Sequence, residues 1–218
     1  MTSAAALPRL CLVADGFATG RRGLDARAVQ GVAAELVAAG LSWVWLRDHD
    51  ASAAAFDAAA HRLAERLREI APGVVLSVGT HLATARALGA HLHAGRRGDT
   101  LDDAGAAGVP AGLSAHGAAE VVGAARRGAV YATLSPVFPT ASHAGAPTLG
   151  LDRFGAAARA SPIPVLALGG MTPERAGSAR AAGAWGAAVL SDLLHAPRPA
   201  GRLDQYLRAV ADGQPPHP

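Results

Sequence analysis

The chain contains no lysine: all twenty of its Lys+Arg positions are arginine. Without an ε-amino group no Schiff base can form with a carbonyl substrate, which removes covalent aldolase chemistry of that kind. Cysteine is almost absent too. The single thiol, Cys11, has no partner for an internal disulfide and falls inside an apolar run, so it reads as a small buried hydrophobe. Aromatic residues make up 4% of the chain and no basic run is interleaved with them, so the formal charge of +3 does not point to nucleic acid. No apolar stretch reaches the roughly 18–20 residues that span a bilayer. The opening residues, MTSAAALPRL, lack the charged and apolar regions of a secretory signal. A soluble, cytoplasmic protein with no membrane partner is the expectation. The Gly-x-Gly-x-x-Gly fingerprint of a dinucleotide site is missing as well, since the first strand runs into ADGFATGRRG.

What the chain has is alternation. Apolar runs at 9–14, 42–47, 73–78, 90–94, 111–115, 129–135, 164–169 and 186–191 read as strands. Helical composition fills 27–39, 51–70, 81–89, 117–126, 151–160, 173–182 and 202–211, with a weaker candidate at 99–108. Repeated βα units imply a parallel sheet, and eight of them in 218 residues favour one closed (βα)8 TIM barrel over residues 1–218, frayed at 1–6 and 213–218. In such a barrel the chemistry sits at the C-terminal ends of the strands. The stretch PVLALGGMTPERAGSARAAGAWGAAVLSD (164–192) is the most informative of these ends. Gly169-Gly170 lets backbone N–H groups approach a phosphate, Thr172 caps the helix that follows, and the next strand ends at Leu190-Ser191.

Side-chain alternation puts Trp43, Trp45 and Arg47 on one face of strand two, and Ser114 and His116 on one face of strand five. Two inward indoles would crowd a small barrel, so Ala132, Ala167 and either Ala187 or Ala188 are expected to point inward opposite them. Arg47 offers a permanent planar cation to a carboxylate or phosphate, with pairing to Asp15 or Asp48 as the alternative. Trp45 suits stacking on a ring. His116, ending strand five, can donate or accept a proton near neutrality. The loop PVFPTASHAGAPTLG (136–150) reads as a mobile flap over the site. His91 and His93 lack a third ligand or a convergent carboxylate, so no metal site is expected.

Together, WVWLRD (43–48), GLSAH (112–116), YATLSPVFPT (131–140) and ALGGMTPE…GAWGAAVLS (167–191) resemble the thiamine phosphate synthase/TenI superfamily of (βα)8 barrels. The resemblance implies a phosphate cradle at Gly169, Gly170, Leu190 and Ser191, and substrate contacts at Trp45, Ser114, Ser135, Thr140 and His143. The synthase branch couples a thiazole phosphate to a pyrimidine diphosphate, holding Mg²⁺ with an Asn-Asp-Arg motif after strand three and a later aspartate. Here strand three ends Ser77-Val78-Gly79, Asp99 alone matches the later aspartate, the branch's two lysines fall at His49 and His143, and its strand-two glutamine falls at Trp45. The TenI branch resembles a metal-free thiazole tautomerase, and His116 falls on its proton-shuttling histidine.

These departures favour a TenI-like tautomerase of a thiazole carboxylate phosphate, with His116 as acid/base and Arg47 on the carboxylate. It would use no cofactor and act on a small phosphorylated thiazole, and the pattern leaves room for a homo-oligomer. The synthase, with Mg²⁺, is the alternative, and a non-catalytic binder of thiazole or thiamine phosphates is a further one. Asp192 is discordant beside a phosphate, and Arg96 and Arg97 are the nearest candidates to neutralise it.

Overall fold

A computed structural model of the chain describes residues 7–95, 98–140, 145 and 147–211. Among them eight strands, β1 (Leu10–Asp15), β2 (Trp43–Arg47), β3 (Val75–Gly79), β4 (His91–Ala94), β5 (Ala111–Ala115), β6 (Tyr131–Leu134), β7 (Val165–Ala167) and β8 (Gly186–Val189), form a closed barrel in sequence order. Every pairing is parallel, and β8 closes onto β1 through Leu10↔Ala187 and Leu12↔Val189. The (βα)8 expectation holds.

The helices are α1 (Ala26–Ala38), α2 (Ala53–Ile70), α3 (Leu82–Ala87), α4 (Leu101–Ala106), α5 (Ala118–Arg126), α6 (Gly150–Arg159), α7 (Pro173–Ala182), α8 (Ser191–Leu194) and α9 (Pro199–Ala211). Side-chain oxygens start several of them. Asp25 accepts from the Ala28 N–H, Ser52 from that of Ala55, and Thr100 and Asp103 form a reciprocal capping box that secures the Gly-interrupted α4. Helix α7 carries Thr172 as its cap, Pro173 in its first turn and a left-handed Gly183 at its end, which is the start-and-stop grammar the sequence displays. The one-turn α8 has no such grammar and lies where an apolar run suggested more strand. Leu190, at φ −115° and ψ −90°, leaves the extended region and turns the chain. None of the described helices is long and apolar enough to cross a membrane.

Two apolar layers follow from strand alternation. Outward residues such as Leu12, Val44, Leu46 and Leu134 meet the helices, while Cys11, Val13, Trp43, Trp45, Tyr131, Leu166 and Ala188 fill the barrel. The two tryptophans do point inward. Of the alanines expected to make room for them only Ala188 does so; Ala132, Ala167 and Ala187 face the helices. Space comes instead from Gly112 and from the small Ser77. A Cβ on Gly112 would lie 2.2 Å from the Tyr131 ring, so the phenol fits only because that position is bare.

Candidate active site

The C-terminal ends of β7 and β8 build their surface from backbone. Gly169 and Gly170 have φ of +94° and +63°, the left-handed region that side chains disfavour. A Cβ at 169 would meet Pro136 Cα at 2.8 Å, and one at 170 would meet the Pro139 carbonyl at 2.3 Å, so the loop after β7 lies directly on the loop after β6. Val137 and Phe138 donate their N–H groups to the Leu168 and Gly169 carbonyls. The base of the expected flap is therefore tied down; residues 141–144 and 146 of that segment, His143 included, lie outside the described residues. The N–H groups of Gly169 and Gly170 make no hydrogen bond to another described residue. Unspent backbone donors on a left-handed turn are the chemistry that suits an anion. Leu190 and Ser191 flank the turn, with Ser191 opening α8.

Sequence reasoning missed Arg175. Its guanidinium donates to the Gly170 carbonyl at 2.6 Å and lies 4.9 Å over the Phe138 ring. It clamps the Gly170–Met171 peptide from behind, while Val137 and Phe138, bonded to the Leu168 and Gly169 carbonyls, fix the peptides that carry the Gly169 and Gly170 N–H groups. The signal lay three residues beyond the Thr172 cap, where a long cation reaches back across the first helical turn. Asp192 turns away from the cradle. Its carboxylate receives Arg202 at 2.7 and 3.0 Å and the Tyr206 hydroxyl at 2.7 Å. The neutralising cation is Arg202 on α9, and the proposed Arg96 and Arg97 lie outside the described residues. A depression of about 690 Å³ opens on this α8–α9 side, lined by Asp192, His195, Arg198 and Arg208; it touches the cradle only through Ser191 and is not the barrel mouth.

On the opposite side of the mouth the site is made of side chains. Trp45 stacks on His93 with ring centroids 3.6 Å apart, so the indole spends its face on the protein rather than offering it freely to a ligand. His93 is fully buried, and desolvation, reinforced by the Arg47 charge, pushes its pKa down to about 3. Arg47 is mostly buried and paired with Asp15 at 3.1 Å, with Arg21 on the same carboxylate at 3.4 Å. The alternative weighed for Arg47, an internal acid partner, is the one realised. Ser114 is half-buried at the mouth and meets His93. His116 is exposed; its Nδ1–H donates to the Ser135 carbonyl at 2.9 Å, which leaves Nε2 facing outward. Ser135 is thus engaged through its backbone, while Thr140 sits half-buried at the edge of the β6 loop.

Magnesium, which the family implies, does not suit the residues present. A Cβ at Gly79 would lie 3.2 Å from Trp45 Nε1, so the indole occupies the room a metal-binding side chain would need at the end of β3. Ser77 is buried and bonded to Trp43 and Tyr131. Asp99 accepts the Leu82 N–H at 2.6 Å and so closes the start of α3. Among the described residues no three His, Cys, Asp or Glu side chains converge on a point.

A closed parallel eight-stranded barrel with unspent backbone N–H groups in the loop after β7 defines a TIM-barrel protein. A family model described as thiamine monophosphate synthase matches residues 17–193, and the chain belongs to that family. A thiamine-phosphate synthase of Roseiflexus castenholzii is 34% identical over 199 residues, covering 89% of this chain and 85% of the relative. One from Koribacter versatilis is 33% identical, covering 96% and 99%. Matches in the synthases of Salinispora tropica and Myxococcus xanthus span 48% and 58% of those proteins. The structure of thiamine phosphate pyrophosphorylase from Pyrococcus furiosus superposes with a TM-score of 0.78 over 94% of this chain and 96% of that one, at 20% identity, a likeness of fold. These findings overturn the tautomerase expectation: the relatives matched over nearly their whole length bear the synthase name.

Proposed function

We propose that the chain is a thiamine-phosphate synthase, a transferase coupling a thiazole phosphate to a pyrimidine diphosphate with release of pyrophosphate. The observation that carries this reading is the Gly169–Gly170 loop, whose left-handed backbone, unspent N–H groups and Arg175 clamp suit a phosphate monoester. In this reading the cradle and Ser191 hold the thiazole phosphate, and the rings lie over the mouth between Ser114 and His116. Binding the two reactants side by side supplies most of what a coupling reaction needs from its protein. The shuttle role of His116 belonged to tautomerisation and is not carried over; its outward Nε2 becomes a contact to the substrate. No step is assigned to a metal, because the ends of β3 and β4 do not provide its ligands. The test mixes thiazole phosphate and hydroxymethylpyrimidine diphosphate with the purified protein, with Mg²⁺ and with chelator, and follows thiamine phosphate and pyrophosphate. Stoichiometric formation of both is expected. Failure to form either under both conditions, by protein that binds the thiazole phosphate, would overturn the reading.

A further inference from the structure

A chain of polar groups runs up the inside of the barrel. At its lower end the Trp43 indole N–H donates to Ser77 Oγ at 2.9 Å. Ser77 Oγ lies 3.0 Å from Tyr131 Oη, and Tyr131 Oη lies 2.8 Å from His93 Nδ1. His93 Nε2 then lies 2.9 Å from Ser114 Oγ. All but Ser114 are buried.

Each hydroxyl has one hydrogen to give and a neutral imidazole has one N–H, so the chain can run in either of two directions. The indole can only donate. If the chain runs outward, Ser77 accepts from Trp43 and donates to Tyr131, Tyr131 donates to His93 Nδ1, and His93 Nε2–H donates to Ser114. Every buried hydrogen then has an acceptor, and the spare one belongs to Ser114, where a ligand or water can take it. If the chain runs inward, Ser77 accepts from both neighbours, and its own hydrogen is left deep in the barrel with no acceptor. A buried donor without a partner carries its full desolvation penalty, so the outward direction wins.

We infer that this chain has one fixed direction: Tyr131 holds His93 as its Nε2–H tautomer, and Ser114 presents a hydrogen-bond donor that selects a substrate carrying an acceptor atom over β5. Tyr131 is thus a positioning residue, acting through His93. Among the described residues, two further polar groups at this mouth have no hydrogen-bond partner. They are the Trp45 indole N–H, on the ring stacked against His93, and the hydroxyl of Thr133, which is in register with Ser114. Burial keeps His93 neutral, so nothing near neutral pH reverses the direction. The ligand half of the inference rests on the synthase reading, and the tautomer half does not.

Long-range proton–nitrogen correlation spectra of the ligand-free protein read the tautomer directly. Expected is a single neutral His93 with its proton on Nε2, unchanged across the neutral pH range; a proton on Nδ1 would overturn the inference. Trp43→Gln places a group able to accept beside Ser77, so a folded variant should show both tautomers, and an unaltered pure Nε2–H signal there would refute the claim that the donor-only lower end sets the direction. For the ligand half, Ser114→Ala should weaken thiazole phosphate or hydroxymethylpyrimidine diphosphate, titrated singly, by about tenfold, the loss of one hydrogen bond. Wild-type affinity for both would remove the ligand half, whatever the coupling assay gives.

Discussion

The two sides of the barrel mouth are built from different materials. After β7 and β8 the surface is backbone: two left-handed glycines, a one-turn helix and a guanidinium holding a carbonyl from behind. Between β2 and β5 it is side chain: an indole stacked on a buried imidazole, a serine, and an arginine paired with an internal aspartate. A backbone site tolerates sequence drift, because any chain that keeps the glycines and the strand ends keeps the donors. A side-chain site changes character with one substitution, and here Trp45 fills the room beside Gly79 with a ring. The two sides can therefore change separately on one barrel.

The sharpest separation of the two comes from Trp45→Ala. The indole is 4% exposed and packs in the barrel interior, so its removal should cost about 3–5 kcal/mol of stability. The affinity for inorganic phosphate, measured on the folded fraction, should stay within about twofold, well under the ~1.4 kcal/mol that a tenfold change would represent. A parallel collapse of phosphate binding would mean that the two sides are one unit. Gly170→Asp acts on the other side. A Cβ there would press on the Pro139 carbonyl and the carboxylate would stand in the anion's place, so phosphorylated ligands should weaken about a hundredfold or more, ~2.7 kcal/mol, while dephosphorylated analogues change little. Equal losses for both kinds of ligand would remove the cradle assignment.

Acid should reach the side-chain half first. His93 keeps a folded-state pKa of about 3, against an ordinary value of 6.5, through burial and the nearby Arg47. Below pH 6.5 the unfolded chain takes up a proton that the folded chain refuses, so stability falls with falling pH at about 1.4 kcal/mol per unit from this residue, down to its folded pKa. His81 and His91 are depressed in the same direction and steepen the slope. Denaturant titrations at stepped pH check this, and His93→Asn should flatten the profile; an unchanged slope would show that His93 is not held neutral by the fold.

Most of the fold is legible in the sequence because it is written in local terms: apolar runs of strand length, caps at Asp25, Ser52, Thr100 and Thr172, and glycines at turns. The cradle is legible for the same reason, since Gly169-Gly170 announces a backbone conformation. What depends on distance through space is less legible: the sequence offers Asp15 and Asp48 alike as partners of Arg47 and does not choose between them, and the stacking of Trp45 on His93, which joins β2 to β4, leaves no local signal. Alternation gives the parity of Ala132 and Ala167 only once the strand phase is known, and an error of one residue sends each to the opposite layer. The tautomerase expectation rests on departures at a few side-chain positions, whereas the synthase relatives match this chain along nearly its whole length, so the shared frame outweighs those positions.

Asp192 sets the finest test of the comparison, since it is a side-chain charge placed beside the backbone half. Its carboxylate is held by Arg202 and the Tyr206 hydroxyl, and the phenol is driven above its ordinary pKa by burial and by that same carboxylate. The ion pair is about 28% and 29% exposed on its two sides, so it is screened and contributes on the order of 0.2–1 kcal/mol. Arg202→Ala removes the cation and leaves the negative charge one residue from Ser191. Phosphate monoesters should then bind about threefold more weakly at low salt. The difference should shrink as salt rises and screening shortens the reach of Asp192, and a dephosphorylated thiazole should bind as before. Adding Asp192→Asn should restore affinity, because it removes the charge that Arg202 no longer balances. If the single variant binds phosphate normally at low salt, the charge is not felt at the cradle, and the Gly169–Gly170 backbone alone sets its affinity.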